Sequence, residues 1–244
     1  MGFSEKVVLV TGSSSGIGEE IARQFAAHGA YVIVNSARSA DAGRALAAEL
    51  PNASYIQADI ADEASARALV SDAVGLHGRL DVLVNNAGIT EVIDHRDLQA
   101  ATLDVWRRIF DVNVFGTWSV TTAAIDALRA TSGSVVNVSS VAGLRPTGSS
   151  IPYAASKAAL NHMTVLLAKV VGPEVRVNAV APGLVETPWW SVGFDDIDAL
   201  VSAITPLRRS GQPADVAEIV LALAASSYVT GQVVAIDGGL TIVS

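Results

Sequence analysis

The sequence contains no cysteine, which excludes a disulfide framework and a thiolate metal site. Lysine is also scarce, with only Lys6, Lys157 and Lys169, and the formal net charge is −8. Broad binding to nucleic acid or to an anionic membrane requires clustered Lys and Arg, so this charge balance argues against both. The lack of cysteine fits a reducing compartment, and we expect a cytoplasmic protein.

Long uninterrupted apolar runs are missing too, although half of the 244 residues are hydrophobic. A membrane-spanning helix needs about 18 such residues in a row, whereas the richest window, 216–225, is short and contains Glu218. The mean hydropathy of +0.42 therefore predicts a buried sheet and an oligomer interface. The opening residues MGFSEKVVLVTG predict a first strand and not a signal peptide.

Short runs of Val, Ile and Leu alternate with helix-length segments along the whole chain. These runs lack polar alternation, which is typical of strands covered on both faces. We predict strands at Val7–Val10, Tyr31–Val34, Ser54–Gln57, Leu80–Val84, Ser134–Val138, Val175–Val180 and Val233–Ile236. The alternation predicts one α/β domain over residues 1–244, a doubly wound parallel sheet of about seven strands.

Ligands of such sheets bind beyond the carboxyl ends of the strands. The stretch TGSSSGIG, residues 11–18, follows the first strand and precedes a helix predicted over Ile17–Ala27. Its three glycines allow a tight turn, and a helix N-terminus offers free N–H groups to a pyrophosphate. The alternative is a serine-rich flexible loop; a P-loop is excluded because no Lys-Ser/Thr pair follows.

The segment YAASK places Tyr153 and Lys157 four residues apart, on one face of a predicted helix. A neighbouring ammonium favours the phenolate and lowers the pKa of a tyrosine, which would make Tyr153 a general acid/base. The plainer alternative is a packing tyrosine beside a solvated lysine.

Polar residues in apolar settings give further candidates. In 101–116, we predict a helix with one face formed by Leu103, Trp106, Ile109, Phe110 and Asn113. Asn113 either satisfies the backbone of a neighbouring element or holds a water leading toward Lys157. Ser139 and Ser140 end the fifth strand, but no G-x-S-x-G elbow makes either a hydrolase nucleophile. The four histidines have no metal-ligand spacing, so we predict no metal.

Together these motifs resemble the short-chain dehydrogenase/reductase family across essentially the whole chain. They occur in the family's order: TGSSSGIG, NNAG at 85–88, Asn113, VSS at 138–140, YAASK, and the PG of APGLVETP. The resemblance implies a Rossmann-like fold and hydride exchange between a nicotinamide and a ketone or secondary-alcohol carbon. It implies Tyr153 as the proton donor/acceptor, Lys157 as the residue that tunes it, Ser140 as the carbonyl-orienting hydroxyl and Asn113 as the anchor of a proton-relay water.

The resemblance also implies a set of cofactor-binding residues. Besides Tyr153 and Lys157, they are Gly12, Ser14, Ser15, Gly16, Ile17, Gly18, Asn35, Ser36, Arg38, Asp59, Ile60, Asn86, Ala87, Gly88, Pro182, Gly183, Val185 and Thr187. Ser36 stands near the position where NAD enzymes carry an acidic ribose ligand, and Arg38 can bind a 2′-phosphate. NADP(H) is therefore favoured and NAD(H) stays possible; in the plainer alternative, Arg38 points to solvent.

The substrate is a small carbonyl or alcohol compound, expected under a lid at 184–212. We predict that Trp189, Trp190 and Phe194 line its pocket together with Ser140, although these aromatic residues suit a subunit interface as well. A 3-oxoacyl-[acyl-carrier-protein] reductase is the alternative. Only Arg129 supplies positive charge just before the fifth and sixth strands, where the family is expected to dock its acidic carrier.

Two other classes share parts of the pattern. A non-catalytic dinucleotide-binding regulator needs only the glycine loop, and the complete set of four catalytic residues argues against it. Sugar-nucleotide epimerases share YxxxK but have a larger C-terminal part than the 87 residues after Lys157 (244 − 157). The apolar tail TGQVVAIDGGLTIVS suits burial against a partner, and we expect a homotetramer.

Overall fold

The computed structural model describes residues 2–187 and 197–243. Seven parallel strands form one sheet in the spatial order β3-β2-β1-β4-β5-β6-β7. In chain order they are β1 (Val7–Val10), β2 (Tyr31–Ser36), β3 (Ala53–Gln57), β4 (Val82–Asn85), β5 (Ser134–Val138), β6 (Arg176–Pro182) and β7 (Val233–Ile236). Each end lies within two residues of its predicted position, so the predicted Rossmann-like α/β fold is confirmed.

Helices cover both faces of the sheet. They are α1 (Gly16–Ala27), α2 (Ala40–Glu49), α3 (Glu63–His77), α4 (Leu103–Phe110), α5 (Thr117–Thr131), α6 (Ile151–Val171), α7 (Ile197–Ile204), α8 (Pro213–Ala225) and α9 (Leu240–Val243). Val8 and Val10 of β1 pack in a core with α1 and α8, while Val7 and Leu9 pack on the opposite face with α3 and α5. Both faces being buried explains why the strands lack polar alternation.

The order in which successive strands are added to the sheet reverses at β1, which pairs with β2 on one side and β4 on the other. The crossovers leave this point in opposite directions, so a crevice opens beyond the carboxyl ends of these strands. The fold thus brings the glycine loop after β1 and the NNAG segment after β4 to the same crevice. In the part of the chain that the structure describes, no helix combines the length and apolarity required to cross a bilayer.

The helix predicted at 101–116 is interrupted. After α4, residues Asp111–Gly116 form a π-helical segment before α5 begins. The prediction that Leu103 lies on the buried face was wrong, since Leu103 is 70% exposed. The buried face runs through Val105, Ile109 and Asn113 instead. Leu103 and Val105 are two positions apart, which corresponds to about 200° around the helix axis, so Leu103 points away from the buried face.

Candidate active site

A cleft of about 1000 Å³ opens at the carboxyl edge of the sheet. This volume is at the upper end of the range for small-molecule sites and suits a ligand of dinucleotide size. Every residue predicted to contact a cofactor lines it, from Gly12 in the glycine loop to Thr187 after β6. Ser140, Tyr153 and Lys157 line the same cleft, whereas Asn113 is buried. Trp189, Trp190 and Phe194 lie outside the described residues.

The glycine loop presents backbone to the cleft. Gly12 and Gly16 have φ angles of 61° and 59°, in the left-handed region that side chains disfavour. Ser15 precedes α1 as its N-cap residue without using its side chain as a cap. A Cβ on Gly16 would approach the methyl group of Thr187 to 3.4 Å. Glycine therefore keeps the N-terminus of α1, with its free N–H groups, open to an anionic ligand.

A threonine that sequence reasoning missed fixes this loop to the segment after β4. The hydroxyl of Thr11 accepts hydrogen bonds from the backbone N–H groups of Asn86 and Ala87, at 3.0 and 3.1 Å. The amide of Asn86 donates in return to the carbonyls of Thr11 and Gly12, at 3.0 and 2.9 Å. A Cβ on Gly18 would lie 2.3 Å from that amide. The sequence did contain a signal for this role of Thr11, because its hydroxyl stands between a predicted strand and a glycine turn.

At the end of β2, Asn35 and Ser36 are already engaged with protein groups. The side-chain amide of Asn35 accepts from the N–H of Gly12 at 3.3 Å and donates to the carbonyls of Ile56 and Ala58. The hydroxyl of Ser36 lies 2.9 Å from the Tyr55 hydroxyl, and Ser36 is only 5% exposed. Asn35, predicted to bind the cofactor, therefore holds Gly12 of the glycine loop in place.

Arg38 is the cation at this end of the cleft. It lines the cleft and is exposed, just before α2. The carbonyl of the preceding Ala37 accepts a hydrogen bond from Gln57 at 2.9 Å, which ties the turn to β3. The end of β2 therefore carries a serine near the position of the acidic ribose ligand of NAD enzymes, and a guanidinium two residues later.

At the other end of the cleft, Tyr153 lies in the first turn of α6. Ser150 caps this helix and accepts from the N–H of Tyr153 at 3.4 Å. The hydroxyl of Tyr153 is hydrogen bonded to Ser140, which lowers the pKa, but burial has the larger effect and raises the pKa of Tyr153 to about 12. Burial thus outweighs the hydrogen bond in this structure, because the surrounding protein disfavours the phenolate, and the lowering of this pKa by Lys157 stays a prediction.

Lys157 is 4% exposed, and its ammonium donates to the carbonyl of Val138 at 2.9 Å. The nitrogen lies 5.7 Å from the centre of the Tyr153 ring. Burial lowers the pKa of Lys157 to about 8. Ser139 is buried and its hydroxyl donates to the Lys157 carbonyl at 3.3 Å, so the geometry favours Ser140 as the serine that faces a ligand.

Asn113, in the π-helical segment, is held by three hydrogen bonds. Its carbonyl oxygen accepts from the N–H of Ile89 at 2.8 Å, and its amide donates to the Ile89 carbonyl and to the Ser156 hydroxyl, both at 3.0 Å. Ser156 donates in turn to the carbonyl of Tyr153 at 2.7 Å. Sequence reasoning missed Ser156, although it stands inside YAASK and would lie three residues from Tyr153 on the helix.

The residues present fit a nicotinamide dinucleotide. A Cβ on Gly88 would lie 3.3 Å from Oδ1 of Asn113 and 3.5 Å from Nζ of Lys157, so glycine preserves the space between the catalytic lysine candidate and the NNAG backbone. The opposite end of the cleft offers a helix N-terminus and an arginine. A ligand with a pyrophosphate centre and a ribose at each end meets polar groups at each of these positions.

Comparison with known proteins agrees with this geometry. A family model described as enoyl-(acyl carrier protein) reductase matches residues 12–241. A protein of Streptomyces violaceoruber, named as a ketoacyl reductase of the granaticin polyketide synthase, is 59% identical over 236 residues, or 96% of this chain and 95% of the relative.

Two solved structures are also similar over most of their length. A short-chain type dehydrogenase/reductase from Mycobacterium ulcerans superposes with a TM-score of 0.93 at 31% identity, covering 99% of this chain and 92% of that one. A blue fluorescent protein from a metagenomic library, in complex with NADPH, gives 0.91 at 35% identity, with coverage of 98% and 99%. The chain belongs to the short-chain dehydrogenase/reductase family and is an oxidoreductase of CH–OH or C=O groups.

Proposed function

We propose that this protein is an NADP(H)-dependent oxidoreductase that interconverts a ketone and a secondary alcohol, with Tyr153 as its general acid/base. The observation that carries the proposal is the hydrogen bond between Tyr153 and Ser140 at the wall of the cleft, with the buried ammonium of Lys157 beside the ring. Such a phenol, oriented by a hydroxyl and flanked by a cation, can move a proton to or from an oxygen.

Each side chain has one part in the reaction. The Ser140 hydroxyl orients the substrate oxygen, and Tyr153 gives that oxygen a proton during reduction. Because burial holds the pKa of Tyr153 well above neutrality, the phenol carries this proton at pH 7. Lys157 would hold the nicotinamide ribose, and Asn113 would anchor a water that returns the proton to Tyr153. The nicotinamide, when bound, would supply or accept the hydride.

The preference for NADP(H) follows from the end of β2. Ser36 carries no charge that would repel a 2′-phosphate, and the exposed Arg38 provides charge-assisted hydrogen bonds to it. The NADPH complex of the structural neighbour described above supports this choice for the fold. NAD(H) is the weaker alternative.

A substrate screen tests the function directly. Purified protein is mixed with a panel of ketones, and oxidation of NADPH and of NADH is followed at 340 nm, the usual absorbance band of the reduced cofactor. We expect turnover with at least one ketone and a higher kcat/KM for NADPH. Tight NADPH binding without turnover of any ketone or, in reverse, of any alcohol would instead support a dinucleotide-binding regulator.

A second candidate function is reduction of a 3-oxoacyl thioester on a carrier protein. The family description and the name of the Streptomyces relative favour it. The charges do not: Arg129 pairs with Asp126 at 3.3 Å, and the guanidinium of Arg176 donates to the carbonyls of Leu223 and Ala224. We expect a carrier-bound thioester to be reduced no faster than the same acyl group on N-acetylcysteamine.

We also propose a homotetramer located in the cytoplasm. Apolar side chains are exposed on α5 and α6, including Trp118 at 48% and Val170 at 67%, and in the C-terminal helix α9, with Ile242 at 81%. Covering these surfaces with further copies would remove them from water. Light scattering on the protein as it elutes from a size-exclusion column measures the mass of the assembly. A monomeric mass at micromolar concentration would contradict the homotetramer.

A further inference from the structure

Besides Arg38, two arginines line the cleft that contains Tyr153, namely Arg108 and Arg145. Their guanidinium groups have different partners. Arg108 forms an ion pair with Glu91. Arg145 has no carboxylate partner within 4.0 Å among residues 2–187 and 197–243; its guanidinium instead donates to the carbonyls of Thr241 and Leu144, at 3.2 and 3.3 Å. A guanidinium has more N–H donors than these two bonds use. Arg145 thus brings a positive charge with remaining donors to the cleft.

The segment that carries Arg145 is held in place. A 3₁₀ turn, Val141–Gly143, follows Ser140, and the N–H of Arg145 donates to the carbonyl of Val141 at 3.0 Å. Asn161 of α6 donates to the carbonyl of Gly143 at 3.1 Å. The bond from Nε to Thr241 joins the same side chain to α9. Arg145 therefore lies in a turn that these hydrogen bonds hold in place.

The same segment packs against the catalytic tyrosine. A Cβ placed on Gly148 would lie 3.7 Å from the Tyr153 ring, and the carbonyl of Ser149 accepts from the N–H of Ile93 at 2.8 Å. Ser140 and Arg145 line the same cleft, five residues apart in the chain. A small molecule whose carbonyl meets Ser140 therefore lies in a cleft that also presents the guanidinium of Arg145.

We infer that Arg145 binds a carboxylate of the substrate, so that the preferred substrates are keto acids or hydroxy acids. The planar guanidinium matches the two oxygens of a carboxylate, and such charge-assisted pairs are stronger than neutral hydrogen bonds. The inference rests on the proposed function for the reaction itself. It adds the chemical class of the substrate. Arg108 is not proposed to bind the carboxylate, because Glu91 already compensates its charge.

The test compares 4-oxocyclohexanecarboxylate with its methyl ester, which differ in charge but share the ring and the ketone. For the wild-type protein we expect kcat/KM with NADPH to be at least tenfold higher for the acid, mainly through KM. R145Q should reduce that ratio about tenfold, and R145K, which keeps the charge but not the planar fork, should reduce it less. R67Q is the matched control, because Arg67 pairs with Glu63 on the exposed surface of α3.

A binding measurement separates this inference from the proposed function. Cyclohexanecarboxylate has no ketone, so its calorimetric affinity for the NADP⁺-bound protein reports Arg145 without any turnover. We expect R145Q to weaken this binding about tenfold and to leave the affinity of NADP⁺ within twofold. Equal ratios for acid and ester in wild type and R145Q, or equal binding of cyclohexanecarboxylate, would overturn the inference. Failure of both ketones to react, with binding still dependent on Arg145, would count against the proposed function alone.

Discussion

The two ends of the cleft are built in different ways. At the end proposed to be catalytic, Asn113 and Lys157 are almost completely buried, and every hydrogen bond described for their side chains is made to another part of the protein. At the end proposed to bind adenosine, Asn35 and Ser36 are buried too, but Arg38 is exposed at the cleft. Buried polar groups must be satisfied, so they are fixed by their neighbours. Exposed groups are free to differ without cost to the fold.

Because of this difference, cofactor preference can change separately from stability. Replacing a catalytic residue disturbs a connected network, so activity and stability are expected to change together. Replacing Arg38 removes one exposed charge and should alter only the choice of cofactor.

Replacing Tyr153 by phenylalanine should remove nearly all turnover, because the ring stays but no hydroxyl remains to move a proton. General acid–base catalysis contributes about 10²–10⁴-fold, and we expect kcat to fall by that range. Affinity for NADPH, measured by fluorescence titration, should stay within about threefold. Y31F is the matched control, since Tyr31 is the first residue of β2, at the end of the strand opposite the cleft, and its ring lies against that of His77. A Y153F enzyme with near-normal kcat would remove Tyr153 from the mechanism.

The buried ammonium of Lys157 predicts a dependence of stability on pH. Burial lowers the pKa of Lys157 from 10.5 to about 8, so between these values the unfolded chain binds a proton that the folded protein does not. Stability must then rise with pH across this window, relative to a variant without the amine, and stay level below pH 8. The full difference is about 3 kcal/mol.

Urea unfolding of wild type and K157M between pH 7 and pH 10 measures this pH-dependent difference in the free energy of unfolding. Tyr153 does not interfere in that range, because its raised pKa affects stability only above about pH 10. We expect the wild-type curve to gain on the K157M curve from pH 8 upward. Parallel curves would mean that Lys157 keeps an ordinary pKa in the folded protein.

Replacing Asn113 by alanine should affect both stability and rate. The change removes three hydrogen bonds and leaves the backbone groups of Ile89 and the Ser156 hydroxyl with fewer partners. An unsatisfied buried group costs about 1–3 kcal/mol, so we expect the free energy of unfolding to drop by about 2 kcal/mol and kcat to drop as well. N52A, at an exposed site, is the control. An N113A protein with wild-type stability would contradict the network.

The sequence was sufficient to predict the fold because hydrophobic runs and strand-end motifs are local signals. It also identified the residues that line the cleft, since YAASK and the glycine loop have fixed spacings. It failed where the answer depends on neighbours distant in the chain. Ser36 is turned toward Tyr55, which is on another strand, and Thr11 bonds to a segment that begins 75 residues later. The pKa of Tyr153 depends on burial, which spacing does not reveal.

The smallest effect is expected from Arg38. The R38A variant should lose about tenfold in kcat/KM with NADPH and little with NADH, because Arg38 is expected to contact only the 2′-phosphate, which NADH lacks. The loss is modest because solvent weakens the contact of an exposed arginine. Thermal stability should not change, in contrast to N113A. R44A is a suitable control, since Arg44 is on α2 and pairs with Asp41 at 3.1 Å. If R38A kept the NADPH/NADH ratio of the wild type, cofactor choice would have to come from the backbone of the glycine loop, and the adenosine end would be as fixed as the catalytic end.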